Sequence, residues 1–300
     1  MPDPSMDLSR AFPMRHLAIS LMILLTLAGC ADVRGFLAQS VPLAAYPEDA
    51  VGRRDFEVAP GDDLVGWLAT VRLAQGDTLP DIARHFSLGI NSLTASNPGV
   101  DIWVPEAGER VLLPLAFILP ASRREGIVIN LAAMRLFHFK KNGSRLAVST
   151  YPVGVGTEER PTPMGQMRVT RKKRRPTWYV PASIAADHRK KGDPLPAQVP
   201  PGPLNPLGEY ALYLSAASYL IHGTNKPASI GLRASNGCIR LFPEDIERLF
   251  ANTPVNTPVT IVNQPYLVGR RGGVVYLQAH TPFEESGTGN WDEVYAQLRR

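Results

Sequence analysis

Cysteine is scarce in this chain of 300 residues, which holds only Cys30 and Cys238. Two cysteines cannot build the dense disulfide framework that stabilises many small secreted domains. Long apolar segments are lacking too, because the apolar run over residues 17–27 is shorter than the ~20 residues that a membrane-spanning helix needs. No internal repeat is present. Hydrophobic residues make up 44% and charged residues 20% of the chain, so it can form one large or two modest folded domains.

The residue spacings of metal and nucleotide sites are also absent from the sequence. There is no glycine-rich phosphate loop and no two-cysteine metal knuckle. Four histidines are scattered without the spacing of metal ligands: His85, His138, His188 and His280. We therefore expect no cofactor and no metal.

The N-terminus has the pattern of an export signal. Arg15-His16 precedes the apolar run, and small residues follow it. The run ends in Leu27-Ala28-Gly29-Cys30, which resembles a bacterial lipobox, and this resemblance implies cleavage before Cys30 and a lipid on that cysteine. The alternatives are an ordinary secretory signal with an incidental cysteine, or an uncleaved anchor. Residues 1–29 are thus predicted to be a lipoprotein signal peptide and residues 30–69 mainly a tether, within which residues 51–58 could pair as a short strand.

The same resemblance predicts the location of the protein. Lipoproteins of this type that stay in the inner membrane carry Asp directly after the lipidated cysteine, whereas here Asp32 stands one place further on. We expect a periplasmic protein, lipid-anchored in a bacterial membrane, with the outer membrane weakly favoured. The net charge of +5 suits an anionic wall polymer or anionic lipid headgroups. Nucleic acid is excluded as a partner by the compartment.

Cys238 is then the one cysteine left without a role in anchoring. A free thiol in an oxidising compartment needs a reason, and catalysis is the commonest one. His222 lies upstream of it, and a nearby imidazole and cationic surroundings favour the nucleophilic thiolate. A buried structural cysteine with an unrelated histidine is the alternative.

The residues around this pair carry a longer pattern. His222-Gly223 is followed by Ser235-Asn236-Gly237-Cys238-Ile239-Arg240. The pattern resembles the signature of the L,D-transpeptidase catalytic domain family, in which His most often stands where this chain has Asn236. The resemblance implies a β-sandwich-like catalytic domain, which we place at residues 124–264.

The resemblance also implies a role for each residue of the motif. Cys238 is the nucleophile that forms a thioester, His222 transfers the proton, and the carbonyl of Gly223 orients the imidazole ring. The backbone N–H groups of Asn236, Gly237 and Cys238 are expected to form the oxyanion hole.

Three further residues are candidates for substrate binding: Arg240, Arg233 and Ser235. Arg240 and Arg233 could each hold a carboxylate of a stem peptide. Arg240 could equally brace the site through backbone carbonyls. Ser235 could instead stabilise a turn.

A small module is predicted over residues 70–120. Its pattern is strand, helix, helix and strand, with Gly76-Asp77-Thr78 before the first helix and Asn97-Pro98 after the second. This order resembles a LysM module, which binds glycan strands, and a generic small α/β lobe is the alternative.

The remainder of the chain is rich in short strands that alternate apolar and polar residues, with one helix after Pro243. We therefore predict a mainly β fold, with a C-terminal extension over residues 265–300. The basic run 171–175 is expected to be a solvated loop, although it could contact anionic glycan or lipid.

Three functions fit these patterns. The leading one is an exported L,D-transpeptidase that acts on peptidoglycan stem peptides and either cross-links them or attaches a lipoprotein to the wall. The second uses the same thioester with water as acceptor, which gives an amidase or carboxypeptidase. The third is a lipid-anchored wall-binding protein whose catalytic domain has lapsed, a reading supported by Asn236 alone.

Overall fold

The computed structural model describes residues 54–281 together with 295–296. The predicted signal peptide, Cys30 and the first part of the predicted tether lie outside the described residues. Among the described residues, no helix is both long and apolar enough to cross a membrane. The α-helices are α1 (Leu79–His85), α2 (Ile90–Ser96), α3 (Ala182–Lys190) and α4 (Pro243–Asn252), and a 3-10 turn spans Pro227–Ser229.

The strands up to residue 156 are β1 (Asp55–Val58), β2 (Leu64–Val65), β3 (Ala69–Arg72), β4 (Arg110–Leu113), β5 (Phe117–Ile118), β6 (Gly126–Asn130), β7 (Arg135–Asn142), β8 (Arg145–Pro152) and β9 (Val155–Gly156). The later strands are β10 (Gly165–Arg174), β11 (Trp178–Tyr179), β12 (Gln198–Val199), β13 (Tyr210–Leu214), β14 (Leu220–His222), β15 (Arg233–Ser235), β16 (Ile239–Arg240), β17 (Pro258–Val262), β18 (Tyr266–Arg271) and β19 (Val274–Ala279).

Nine strands form one mixed sheet in the order β1-β8-β7-β6-β17-β10-β13-β14-β16. Its neighbours pair antiparallel except β6 with β17 and β14 with β16, which are parallel. In β6, Ile127, Val128 and Ile129 point to alternate faces and are all fully buried, so both faces of the sheet are covered there. The mainly β fold predicted from the sequence is confirmed.

Two hydrophobic clusters account for this double burial. One joins Val128 and Phe137 of the sheet to Leu79, Phe86 and Leu93 of the small helices. The other contains Ile129, Leu212, Ile221, Ile239 and Ile246. The second cluster packs helix α4 against the strands that carry the cysteine motif. Burial of such side chains contributes about 1.5–3 kcal/mol each, which holds these strands in place.

The small module has the predicted order of elements, β3-α1-α2-β4. Thr78 caps the N-terminus of helix α1, and its hydroxyl accepts a hydrogen bond from the Asp81 N–H at 3.2 Å. The Asn97 side chain donates to the carbonyls of Leu93 and Leu112 and accepts from the Leu112 N–H at 2.7 Å. Asn97 therefore ties helix α2 to β4. The module's identity as a LysM domain stays a prediction.

Part of the segment predicted as a tether belongs to the folded sheet. Strand β1 pairs with β8 from Asp55↔Ser149 to Val58↔Leu146, and β2 pairs with β5. The folded chain therefore starts before residue 69, at or before Asp55. In the predicted C-terminal extension, β18 and β19 form a hairpin, and Leu267 of β18 packs on β2 and β5.

Residues 171–175 are largely exposed, as expected, but the prediction that they form a loop is wrong. Arg171 to Arg174 form the end of β10 and pair with β13. The Arg171 guanidinium lies 3.9 Å from the centre of the Tyr213 ring, and the Lys172 ammonium lies 4.4 Å from that of Phe250. These cation–π contacts stabilise charged residues in the strand, and their aromatic partners are distant in sequence. Helix α3, between β11 and β12, is absent from the sequence-based prediction.

Candidate active site

The register between β14 and β16 brings the predicted catalytic residues together. Ile221 pairs with Ile239 and His222 with Arg240. Since Ile221 and Ile239 enter the hydrophobic core, His222 and Arg240 point to the opposite face. Cys238 stands two residues before Arg240, so its side chain points to the same face. Three predicted site residues therefore share one face of the sheet at its edge.

His222 is held in one orientation by its backbone neighbours. Its side chain is buried, with the residue 4% exposed, and Nδ1 lies 2.6 Å from the Gly223 carbonyl oxygen. Because a carbonyl only accepts, Nδ1 carries the proton and Nε2 presents a lone pair. Burial lowers the pKa of His222 to about 4, assisted by the positive charge of Arg240 and opposed by backbone hydrogen bonds with Gly223 and Leu207. The imidazole is therefore neutral at physiological pH and able to accept a proton.

Cys238 is half-buried and is the free cysteine of the described residues. Burial raises the pKa of its thiol, while a backbone hydrogen bond at Leu220 and the charge of Arg240 act in the opposite direction. Burial thus disfavours both charged forms, the thiolate and the imidazolium. The resting site holds a neutral thiol and a neutral imidazole, and proton transfer has to accompany nucleophilic attack.

Ser235 braces the loop that leads to the cysteine. Its hydroxyl donates to the Cys238 carbonyl at 2.5 Å and accepts from the Gly237 N–H at 3.2 Å. The residue is 2% exposed. The buried hydroxyl is engaged within the loop, as the turn alternative expects, and a role of Ser235 in substrate binding stays a prediction.

The same contact involves one donor of the predicted oxyanion hole, which stays a prediction. The Gly237 N–H is engaged by Ser235, whereas the N–H groups of Asn236 and Cys238 make no hydrogen bond to protein within the described residues. Gly237 adopts φ of 95°, which favours glycine, and the Thr162 hydroxyl donates to its carbonyl at 2.9 Å. Two of the three predicted donors remain open for an oxyanion.

Asn236 is connected to residues that sequence reasoning missed. Its side-chain oxygen accepts a hydrogen bond from Arg160 at 3.0 Å, and Arg160 also forms an ion pair with Asp187 of helix α3. Arg160 thus links the loop that carries Cys238 to the segment between β10 and β13, and Leu207 of the same segment forms a backbone hydrogen bond with His222. No local pattern identifies Arg160 or Asp187, because these contacts bring together separate segments.

The two candidate arginines differ in their surroundings. The backbone of Arg240 exchanges two hydrogen bonds of 2.9 Å with Gly154, while its buried Nε has no partner among the described residues. Arg233 Nε donates to the Gly156 carbonyl at 3.4 Å, which places it against β9. Arg240 is therefore the one beside the thiol and the imidazole, with a donor available for an anion.

Clusters of metal-binding side chains are absent from the part of the chain that the structure describes. There, no group of three or more His, Cys, Asp or Glu side chains could hold a metal ion.

Comparison with known proteins identifies the class to which this fold and site belong. Residues 124–261 match the model of the YkuD family, the L,D-transpeptidase catalytic domain. The chain is 41% identical to "Probable L,D-transpeptidase YbiS" of Escherichia coli over 226 residues, which are 74% of this chain and 73% of that protein. It is 39% identical to "Probable L,D-transpeptidase ErfK/SrfK" of Escherichia coli over 230 residues, covering 75% and 73% of the two chains.

A third relative, "Probable L,D-transpeptidase YcfS" of Escherichia coli, is 37% identical over 253 residues, covering 83% of this chain and 74% of that protein. The chain belongs to the L,D-transpeptidase catalytic domain family and is a transpeptidase enzyme. The family predicted from the sequence is confirmed.

The pH dependence of Cys238 alkylation by iodoacetamide tests the neutral resting pair. Because burial raises the thiol pKa, we expect the rate to keep rising as the pH is increased above 9.0. Arg240→Gln removes a charge that lowers this pKa, so it should move the profile to higher pH. Arg233→Gln is the matched control and should leave the profile in place. A plateau already at pH 7 would show a preformed thiolate and contradict the assignment.

The Arg160–Asp187 pair yields a charge-reversal experiment. Arg160→Asp and Asp187→Arg should each lower kcat/KM about tenfold, because each leaves two like charges in contact, and the double variant should regain part of the loss. Hydrogen exchange of helix α3 should rise in the single variants and fall in the double one. Asp193→Asn, which removes a carboxylate near His188 in the same segment, is the control. Losses that simply add in the double variant would exclude coupling.

Proposed function

We propose that the enzyme transfers an acyl group of a peptidoglycan stem peptide through a thioester on Cys238. The His222 Nε2 takes the thiol proton as the sulfur attacks the peptide carbonyl. The tetrahedral intermediate collapses by breaking the amide C–N bond, and the proton passes to the leaving amine. A second amine then attacks the thioester, forms the new amide and returns the proton to the thiol.

The single observation that carries this proposal is the placement of His222, Cys238 and Arg240 on one face of the sheet, with His222 Nδ1 bonded to the Gly223 carbonyl. That bond directs the basic Nε2 away from the backbone. The open N–H groups of Asn236 and Cys238 would hold the oxyanion, and removal of one such donor costs about 3–4 kcal/mol in comparable enzymes. Arg240 would bind a substrate carboxylate.

Water or an amine could accept the acyl group, since both attack the same thioester. We propose the amine, as the family's transpeptidase activity requires, and stem peptides or a lipoprotein both supply one. The lapsed-enzyme alternative rested on Asn236. The hydrogen bond between Asn236 and Arg160 supports an intact loop, because it gives Asn236 a defined partner within the site.

We also propose export and lipid anchoring, with a LysM-like module that binds glycan strands near the catalytic domain. The support is in the sequence, where Cys30 ends the lipobox-like stretch. The acyl chains would hold the protein on a periplasmic membrane surface, weakly favoured to be the outer one, within reach of the wall.

Activity is tested with purified protein and muropeptides that carry tetrapeptide stems. Wild type should give cross-linked dimers by mass spectrometry, Cys238→Ala none, and His222→Asn about 10²- to 10⁴-fold less, since proton transfer by a side chain contributes that much. Trimmed monomers in place of dimers would indicate water as acceptor. Unchanged muropeptides with folded wild-type protein would refute the proposal.

Anchoring is tested in cells by fractionation. Cys30→Ala should release the protein from the membrane fraction, because the lipid has no attachment site. Cys238→Ala serves as the control and should stay with the membrane. Equal membrane binding of the Cys30→Ala protein would exclude lipid at that residue.

A further inference from the structure

The basic run on β10 lies on the same face of the sheet as the catalytic residues. Lys173 pairs with Ala211, and Ala211 pairs with His222. His222 in turn pairs with Arg240. Directly paired residues of neighbouring strands point to the same face. A row of residues therefore runs from Lys173 through Ala211 and His222 to Arg240, and the middle of this row is buried.

A second row leads from Arg171 to the nucleophile. Arg171 pairs with Tyr213, and Tyr213 pairs with Leu220. Cys238 continues this row, because the next residue along, Ile239, pairs with the residue after Leu220. The Arg171 guanidinium lies 3.9 Å from the centre of the Tyr213 ring. Its side chain thus lies across β13, in the direction of Cys238.

Arg171 and Lys173 keep their charges available. Both are exposed, and neither forms an ion pair with a carboxylate within the described residues. Their neighbours differ: Lys172 donates to the Phe250 carbonyl at 2.5 Å and points to the core face, and Arg175 lies 3.7 Å from Glu209. Arg171 and Lys173 share the face of Cys238, whereas Arg174, which likewise has no ion pair among the described residues, lies on the opposite face beside Tyr210.

We propose that Arg171 and Lys173 form a subsite for carboxylates of the peptide substrate. β10 and β16 are separated by three strand spacings, about 14 Å in all, which matches about four residues of an extended peptide. A peptide with its reacting carbonyl at Cys238 can therefore reach both cations. Stem peptides carry free carboxylates, and a guanidinium or ammonium group binds a carboxylate more strongly than a neutral amide because the hydrogen bond is charge-assisted. The assignment rests on the proposed peptidoglycan substrate and adds the residues that select its charge.

Equilibrium binding to the Cys238→Ala protein tests the subsite separately from turnover. The ligands are an acidic stem tetrapeptide and its analogue with the side-chain carboxylates converted to carboxamides. Arg171→Gln and Lys173→Gln should each raise the Kd of the acidic peptide about fivefold, the upper range for an exposed ion pair, and leave the Kd of the carboxamide unchanged. Added salt should likewise weaken only the acidic peptide.

Arg174→Gln is the matched control, because it removes the same charge from the opposite face of β10, and both Kd values should stay constant. The subsite is refuted if the Arg171 and Lys173 variants bind the acidic peptide like the parent, or if Arg174→Gln weakens it equally. Binding to anionic phospholipid vesicles tests the alternative that this surface binds lipid. If the Arg171→Gln and Lys173→Gln variants lose vesicle binding while the Kd of the peptide is unchanged, the surface is assigned to lipid. A wild-type protein that binds the peptide through these residues without forming dimers would refute the proposed reaction and keep the subsite.

Discussion

The parallel pairing of β14 with β16 is the constraint on which the site depends. Shifting β16 by one residue would turn Cys238 and Arg240 into the core and Ile239 toward His222. Burial of Ile221 and Ile239 against helix α4 opposes that shift, since each fully buried aliphatic side chain stabilises the native register by about 1.5–3 kcal/mol. The register of the catalytic face is therefore set by hydrophobic residues that take no part in the chemistry.

The same burial that sets the register also sets the protonation state of the site. It lowers the pKa of His222 to about 4 and raises that of Cys238. In the unfolded chain His222 would titrate near 6.5, so the imidazole of the unfolded chain is protonated at a higher pH than that of the folded protein. His222 accordingly contributes stability that is present above pH 6.5 and is lost as the pH falls toward 4. A neutral pair favours attack with concerted proton transfer, and Arg240 offsets part of the cost of charging the thiol.

Local patterns in the sequence were sufficient for much of this structure. The alternation of apolar residues predicts most strands of the sheet, and the spacing of His222, Cys238 and Arg240 identifies the family. Arg160 was missed and the secondary structure of the basic run was misjudged for one physical reason. Their roles depend on partners that are distant in the chain: Asp187 and Asn236 for Arg160, and Tyr213 for Arg171. The contacts of Ser235 are local, within the turn at Gly237, and the sequence analysis already offered this turn role.

The charged end of β10 shows how one strand can satisfy two requirements. Beyond Val169, β17 no longer pairs with β10, so β13 is its one partner strand among the described residues. Charges at such an edge discourage pairing with another chain, and either face of the strand would serve that purpose. Contact with substrate is more demanding, because only the face that Cys238 shares can provide it. Arg171 and Lys173 occupy that face, whereas Lys172 binds a carbonyl on the other. Edge protection accounts for the presence of charge in β10, and the register places Arg171 and Lys173 on the face of the active site and Arg174 on the other.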